Sequence, residues 1–131
     1  MLNFLRTITT LAGLGLLVMG LLWWIQPAIA AEILGASLLE GTGLSTQCGD
    51  AGAFFIGSGS LLAWGALRNR ATLVLVGGVL VGLVVPGRAL SAMIHGGMWT
   101  PDEMISECFI VILAVATASA IQRHNQSSLF R

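Results

Sequence analysis

Four long apolar stretches constrain this chain more than any other feature of its sequence. They cover residues 7–25, 51–67, 71–90 and 104–121, and each is close to the ~20 residues that cross ~30 Å of hydrocarbon. Charged residues make up 9% of the 131-residue chain and hydrophobic residues 56%, whereas soluble domains average ~25% charged residues. The pattern predicts an all-α membrane protein in which residues 1–131 form a single four-helix transmembrane domain.

The segments between these stretches predict how the spans are connected. Only residues 68–70 separate the second span from the third, which predicts a tight antiparallel hairpin. Pro86 lies late in the third span and predicts a kink there, because proline lacks a backbone donor. The run Thr100-Pro101-Asp102-Glu103 is typical of a helix start. Residues 28–44 are too long for a turn and predict a short helix at the outer membrane interface.

The charges sort to the two sides of these predicted spans. Five of the six arginines fall on the side of the N-terminus, which the positive-inside rule places in the cytoplasm: Arg6, Arg68, Arg70, Arg123 and Arg131. The other side holds Arg88 and all six acids: Glu32, Glu40, Asp50, Asp102, Glu103 and Glu107. Tryptophans fall near both boundaries, as in an aromatic belt. We therefore predict a multi-pass protein with both termini in the cytoplasm.

The N-terminal segment also has the parts of a secretory signal peptide. Arg6 precedes an apolar run that ends near Ala28-Ile29-Ala30. That run is longer than the 7–15 residues of a typical signal peptide. We therefore expect the segment to be retained, with cleavage after Ala30 as the alternative.

Small residues recur at four-residue spacing in three of the spans. Such stripes let membrane helices approach closely, and here they predict either packing within the chain or assembly with another helix. The residues are Gly49, Ala53 and Gly57, then Gly78 and Gly82, then Ala114 and Ala118.

Five polar residues near the outer side form the candidate site. A charge within the bilayer costs ~2.5–3.5 kcal/mol on insertion scales, so such residues are candidates for function. Arg88 is expected to pair with Glu107 or Asp50. The group admits three interpretations: an ion pair that only holds the helices together, a polar binding site, or a catalytic or proton-relay site. Its members are Asp50, Arg88, Ser91, His95 and Glu107.

Other chemistry has weaker support. Cys48 and Cys108 both fall on the outer side, where a disulfide could persist, and two unpaired thiols are the alternative. No metal or cofactor is expected, because the candidate metal ligands lack metal-binding spacing. These candidates are His95, Glu103, Glu107 and Cys108. The chain has no lysine and no basic run, which argues against nucleic-acid binding. It also lacks a Ser–His–Asp arrangement, a phosphate loop and a dinucleotide fingerprint.

The stretch Gly87-Arg88-Ala89-Leu90-Ser91, followed by His95-Gly96-Gly97, resembles the Gly-Arg-x-x-Ser…Asp-Gly signature of a family of small bacterial four-helix membrane proteins. That family is similar to the DoxX-like proteins. The segment from Gly49 and the position of Glu107 also fit it, whereas His95 stands where the family has an acid and Asp50-Ala51-Gly52 lacks the family's common arginine. The resemblance implies a four-helix fold in a bacterial inner membrane. It also implies an accessory or quinone-side role in an oxidoreductase complex.

These observations favour a non-catalytic membrane protein. We expect an accessory subunit, or a binder of a small lipophilic molecule such as a quinone or a lipid. A component of a quinone-linked oxidoreductase complex and a small transporter are the alternatives. The expected partners are the lipid bilayer, a second membrane protein or another copy of the chain, and the lipophilic molecule.

Overall fold

The computed structural model describes residues 1–129, with side chains up to Ser127. Arg131, one of the arginines assigned to the cytoplasm, lies outside this range. Within residues 1–129 the chain is helical, with no strand. The helices are α1 (Leu2–Ile25), α2 (Pro27–Ile33), α3 (Gly41–Leu67), α4 (Ala71–Gly82), α5 (Val84–Ile94) and α6 (Pro101–Leu129).

In the part of the chain described, three helices are long and apolar enough to cross a membrane. They are Leu2–Ile25, Pro101–Ser127 and the combined α4–α5 segment Ala71–Ile94, with mean hydropathies of 2.0 to 2.2. The second predicted span, residues 51–67, lies on α3. This helix has 27 residues, but its many glycine and polar residues dilute the apolar content and it is not among the three. The all-helical membrane character predicted from the sequence is therefore confirmed.

The helix ends follow the local chemistry of the sequence. The helix breaks at Leu83, between α4 and α5. Pro86 explains this break, because it has no N–H to donate to the carbonyl of Gly82 and its ring crowds that carbonyl. Pro101 is the first residue of α6, as expected for a proline at the first helical position.

The α3–α4 turn is closed by a Schellman motif. Asn69 adopts a positive φ of 53°, and the N–H of Arg70 donates to the carbonyl of Gly65 at 2.8 Å. Arg6 of α1 satisfies the next two carbonyls: its Nε lies 2.8 Å from the Ala66 oxygen, and its Nη2 lies 2.9 Å from the Leu67 oxygen. We call this end of the molecule, which carries residues 68–70, the hairpin end.

Glycines bring α1 and α3 into backbone contact. A Cβ added to Gly13 would lie 2.6 Å from the Ala63 nitrogen and 2.7 Å from the Gly59 oxygen. Seven residues further along α1, a Cβ on Gly20 would lie 2.8 Å from the Gly52 oxygen. The two helices therefore interlock along antiparallel stripes that only glycine permits.

The other helix pairs complete a ring. α3 packs on α4, and α4 packs on α6, where a Cβ on Gly78 would lie 2.5 Å from the Cβ of Ala114. α6 returns to α1 through a buried hydrogen bond of 2.7 Å between the Thr9 and Thr117 hydroxyl oxygens. Each of these helices thus has two neighbours.

One predicted stripe lies away from these interfaces. Gly49 and Ala53 are exposed, and a Cβ on Gly49 or Gly57 would meet nothing within 4 Å. The interpretation of this stripe as packing within the chain is therefore wrong. The reason is geometric: α3 uses the faces that carry Gly52, Gly59 and Gly65 instead.

Two apolar clusters lie at different levels of the ring. The first, near the hairpin end, centres on Leu62, Val74 and Ile121. The second is formed by Trp23 together with Ala30 and Ala31 of α2, which are at most 2% exposed. α2 therefore packs on the helices, whereas the sequence predicted only a helix at the interface. The outward faces carry large apolar side chains such as Leu11, Val79 and Ile112, each more than half exposed, which suits a lipid environment.

Candidate functional site

A cavity of about 220 Å³ opens between the helices on the side away from the hairpin end. Every helix of the ring contributes to its walls, together with the segment that follows α2. We call this end of the molecule the cavity end. The lining residues are Gly15, Leu16, Met19, Leu34, Phe54, Phe55, Val81, Val84, Arg88, Glu103, Ser106, Glu107 and Ile110.

Most of the cavity wall is apolar. Phe54 and Phe55 of α3 pack edge to face, with ring centroids 5.2 Å apart and an interplanar angle of 73°. Gly15 of α1 contributes no side chain, and a Cβ built on it would meet nothing within 4 Å. The cavity therefore has room next to Gly15 that a larger side chain would occupy.

A charged pair forms the polar part of the wall. Nε of Arg88 donates to Oε1 of Glu107 at 2.8 Å. Nη1 of Arg88 donates to the Thr100 hydroxyl at 3.2 Å. The Arg88 side chain is 31% exposed and that of Glu107 only 12%. The pair joins α5 to α6 and compensates the buried charge of Glu107.

One atom of this pair has no partner. Oε2 of Glu107 is buried, and no described residue makes a hydrogen bond to it. Nearly all buried polar groups in proteins are hydrogen bonded, so an exception beside a cavity points to a missing donor. Glu103, one turn before Glu107 on α6, and Ser106, which immediately precedes Glu107, also line the cavity. The polar wall is therefore rich in acceptors.

The structure brings two of the five predicted site residues together. Glu107 and Asp50 were the two predicted partners of Arg88. The structure pairs Arg88 with Glu107, whereas Asp50 is exposed on α3. Ser91 and His95 are exposed as well. His95 is the C-cap beyond the end of α5 at Ile94, and the carbonyl of Ser91 accepts from the N–H groups of His95 and Gly97. The predicted helical face therefore continues from Arg88 to Ser91 and stops before His95, and neither Ser91 nor His95 lines the cavity.

Of the two alternatives for Cys48 and Cys108, a disulfide or two unpaired thiols, the structure shows the second, and both thiols are free. Cys48 packs against the Trp23 cluster. Cys108 is exposed on α6, next in sequence to the inward-facing Glu107. The two side chains therefore point to different surroundings, although both lie towards the cavity end as predicted.

Several residues of the cavity, and the Thr100 hydroxyl that accepts from Arg88, were not identified from the sequence. Thr100 was taken only for a helix cap, and Phe54 and Phe55 were counted only as part of an apolar span. Glu103, Ser106, Glu107 and Ile110 follow helical i, i+3, i+4, i+7 spacing, which is the signal that could have revealed one wall.

The described residues contain no group of three or more His, Cys, Asp or Glu side chains that could hold a metal ion. The chain matches no protein-family model, no curated protein and no solved structure. Its resemblance to DoxX-like proteins therefore stays a prediction from the sequence, and function has to be argued from the cavity.

Proposed function

We propose that the protein spans a bacterial inner membrane with four helices and binds a small lipophilic molecule in the cavity between them. Three helices have the length and apolar character of spans. α3 packs between α1 and α4 along much of its length, so we expect it to cross the membrane together with them. The fourth span is supported by this packing rather than by hydropathy.

The cavity is the observation that carries the binding proposal. Ligand sites are concave, mostly apolar and equipped with a few fixed polar groups, and this cavity combines phenylalanine and aliphatic walls with one charged pair. An apolar cavity of ~150 Å³ already accommodates benzene. A cavity of about 220 Å³ therefore suits a substituted ring or the head of a longer lipid-soluble molecule.

Filling the cavity provides the test. Protein purified from native membranes should retain a small molecule, detected by native mass spectrometry and identified after solvent extraction. Gly15→Leu places an aliphatic side chain in space that is empty now and should abolish retention. Gly57→Leu is the matched control, because its Cβ is equally unobstructed and Gly57 does not line the cavity.

The two glycine variants also define the result that would overturn the proposal. If wild type and Gly15→Leu retain the same molecules, whatever is bound does not occupy this cavity. If wild-type protein retains nothing beyond bulk lipid, the cavity has no ligand of its own. No contact among the described residues favours the oxidoreductase or transporter alternatives over a binding role.

A further inference from the structure

We infer that the molecule bound in the cavity carries a hydroxyl group, which donates a hydrogen bond to Oε2 of Glu107 and accepts one from Arg88. This inference rests on the proposed function, and it specifies the chemistry of the ligand. It follows from the arrangement of donors and acceptors on the polar wall.

Glu107 requires a donor. An ionised carboxylate has only acceptor sites, and Oε1 is engaged by Nε of Arg88. Oε2 is buried and has no partner on any described residue. The Glu107 residue as a whole is only 9% exposed and it lines the cavity, so the cavity is the side from which a further donor can approach its carboxylate. A ligand that offers only acceptors would leave Oε2 unsatisfied.

Arg88 provides the complementary group. Its Nε and Nη1 are used by Glu107 and Thr100, and Nη2 makes no hydrogen bond with the described residues. A guanidinium donates and cannot accept. A ligand that bridges Arg88 and Oε2 must therefore both accept and donate. A hydroxyl does both, an ether or ketone only accepts, and an ammonium only donates.

The rest of the wall determines the remainder of the molecule. Phe54, Phe55 and Met19 lie in the same cavity as the charged pair and offer no hydrogen bonds beyond those of the helix backbone. The group attached to the hydroxyl is therefore apolar. A membrane-soluble phenol or alcohol meets both requirements.

Three probes of similar size separate these chemistries: 4-ethylphenol, its methyl ether 4-ethylanisole and the cation of 4-methylbenzylamine. Binding to the full chain is measured by calorimetry in matched micelles, with Gly15→Leu protein as the baseline for partition into detergent. The phenol should bind about tenfold more tightly than the ether, as expected for one hydrogen bond to a charged group. It should also bind more tightly than the amine.

Glu107→Gln provides the second arm. Its amide oxygen keeps the bond from Arg88, and its NH₂ takes the place of Oε2, so the cavity now meets a donor. The preference for phenol over ether should then disappear. Since the comparison of probes on wild type stands alone, a variant that fails to fold does not prevent the test.

The outcomes separate this inference from the proposed function. Equal binding of phenol and ether by wild type, or tighter binding of the amine, would refute the hydroxyl and leave the cavity as a binding site. If none of the probes binds above the Gly15→Leu baseline, the inference is wrong, and the retention experiment on wild type and Gly15→Leu decides the proposed function separately.

Discussion

Arg88 and Glu107 show what a sequence reveals about a charge within a membrane. Two opposite charges at similar depth in apolar spans predicted a pair, because either charge alone is costly there. The sequence could not decide between Glu107 and Asp50, since that choice depends on which helices are neighbours. In the structure α5 contacts α6, and Asp50 is left exposed on α3.

The two members of the pair should not contribute equally to stability. Arg88→Ala leaves Glu107 buried and uncompensated, whereas Glu107→Ala leaves an arginine that is already 31% exposed and still reaches Thr100. Breaking a fully buried pair costs ~3–5 kcal/mol, so we expect about 2–3 kcal/mol for Arg88→Ala and less for Glu107→Ala. The measurement is unfolding in detergent.

The double variant and two neighbours serve as controls. Arg88→Ala with Glu107→Ala should recover part of the loss, because no orphaned charge remains. Ser91→Ala and His95→Ala should unfold like wild type, since both side chains are exposed. A double variant whose loss equals the sum of the single losses would show that the pair is not coupled.

Arg6 has a structural role that its position in the sequence concealed. It was counted among the cytoplasmic charges, yet its guanidinium closes the C-terminus of α3 with two hydrogen bonds. Arg6→Ala should cost about 1–2 kcal/mol, because these are bonds from a charged donor at a partly exposed site. Arg70→Ala is the control, since Arg70 lies in the same turn and its side chain is exposed. Equal unfolding midpoints for the two variants would contradict this role.

At the scale of helices, the sequence predicted close packing but not which faces pack. α3 carries glycines on several faces, and four-residue spacing singled out Gly49, Ala53 and Gly57. The structure uses Gly52 and Gly59, seven residues apart, opposite Gly20 and Gly13. Spacing within one helix cannot reveal the stripe on its partner, so the pairing had to come from the folded arrangement.

Because α1 and α3 are in backbone contact, a single methyl group added to a glycine between them tests how tightly they pack. Gly13→Ala would bring its Cβ to 2.6 Å from a backbone nitrogen of α3, and backbone cannot move as a flexible side chain can. We expect a loss of about 1–3 kcal/mol from overpacking. Gly57→Ala, which meets nothing within 4 Å, should be neutral or slightly stabilising because alanine favours a helix. Thermal unfolding of both variants in the same detergent measures this difference in stability.

The cavity illustrates the limit of the sequence at this scale. Pro86 predicted a kink, and the break is found at Leu83. The charged pair was expected, but the apolar wall was not. Phe54 and Phe55 lie on α3, about thirty residues before Arg88, and only the ring of helices brings them to the same space. An empty volume has no signature in a sequence, because it is set by what the neighbouring helices fail to fill.

The packing of α2 argues that the N-terminal segment is retained and not cleaved. Cleavage after Ala30 would cut within a helix whose Ala30 and Ala31 are buried against Trp23. It would also remove α1, which supplies Gly13 to the closest helix contact and Met19 to the cavity. We expect the intact mass of the purified protein to correspond to an uncleaved chain. A mature chain that begins at Ala31 would contradict this expectation.

At the scale of the whole molecule, the ring of helices separates the charges between its ends. The hairpin end holds Arg6, Arg68, Arg70 and Arg123, and the described part of the chain has no acid there. The cavity end holds the acids and Arg88. Trp64 also lies at the hairpin end, where the Arg68 guanidinium packs over it, 4.4 Å from its ring centroid. This separation is what a membrane protein with a fixed orientation requires.

That separation predicts an orientation in the membrane, which can be measured. The positive-inside rule places the hairpin end in the cytoplasm, so a fluorescent protein fused after Arg131 should be bright and alkaline phosphatase at the same point inactive. Fusions after Gly97, in the segment between α5 and α6, should give the opposite pair of results, because the cavity end then faces outward. If α3 did not cross the membrane, a fusion after Gly35, in the segment between α2 and α3, and a fusion after Asn69 would lie on the same side. With four spans they lie on opposite sides, so the Asn69 fusion should behave like the fusion after Arg131.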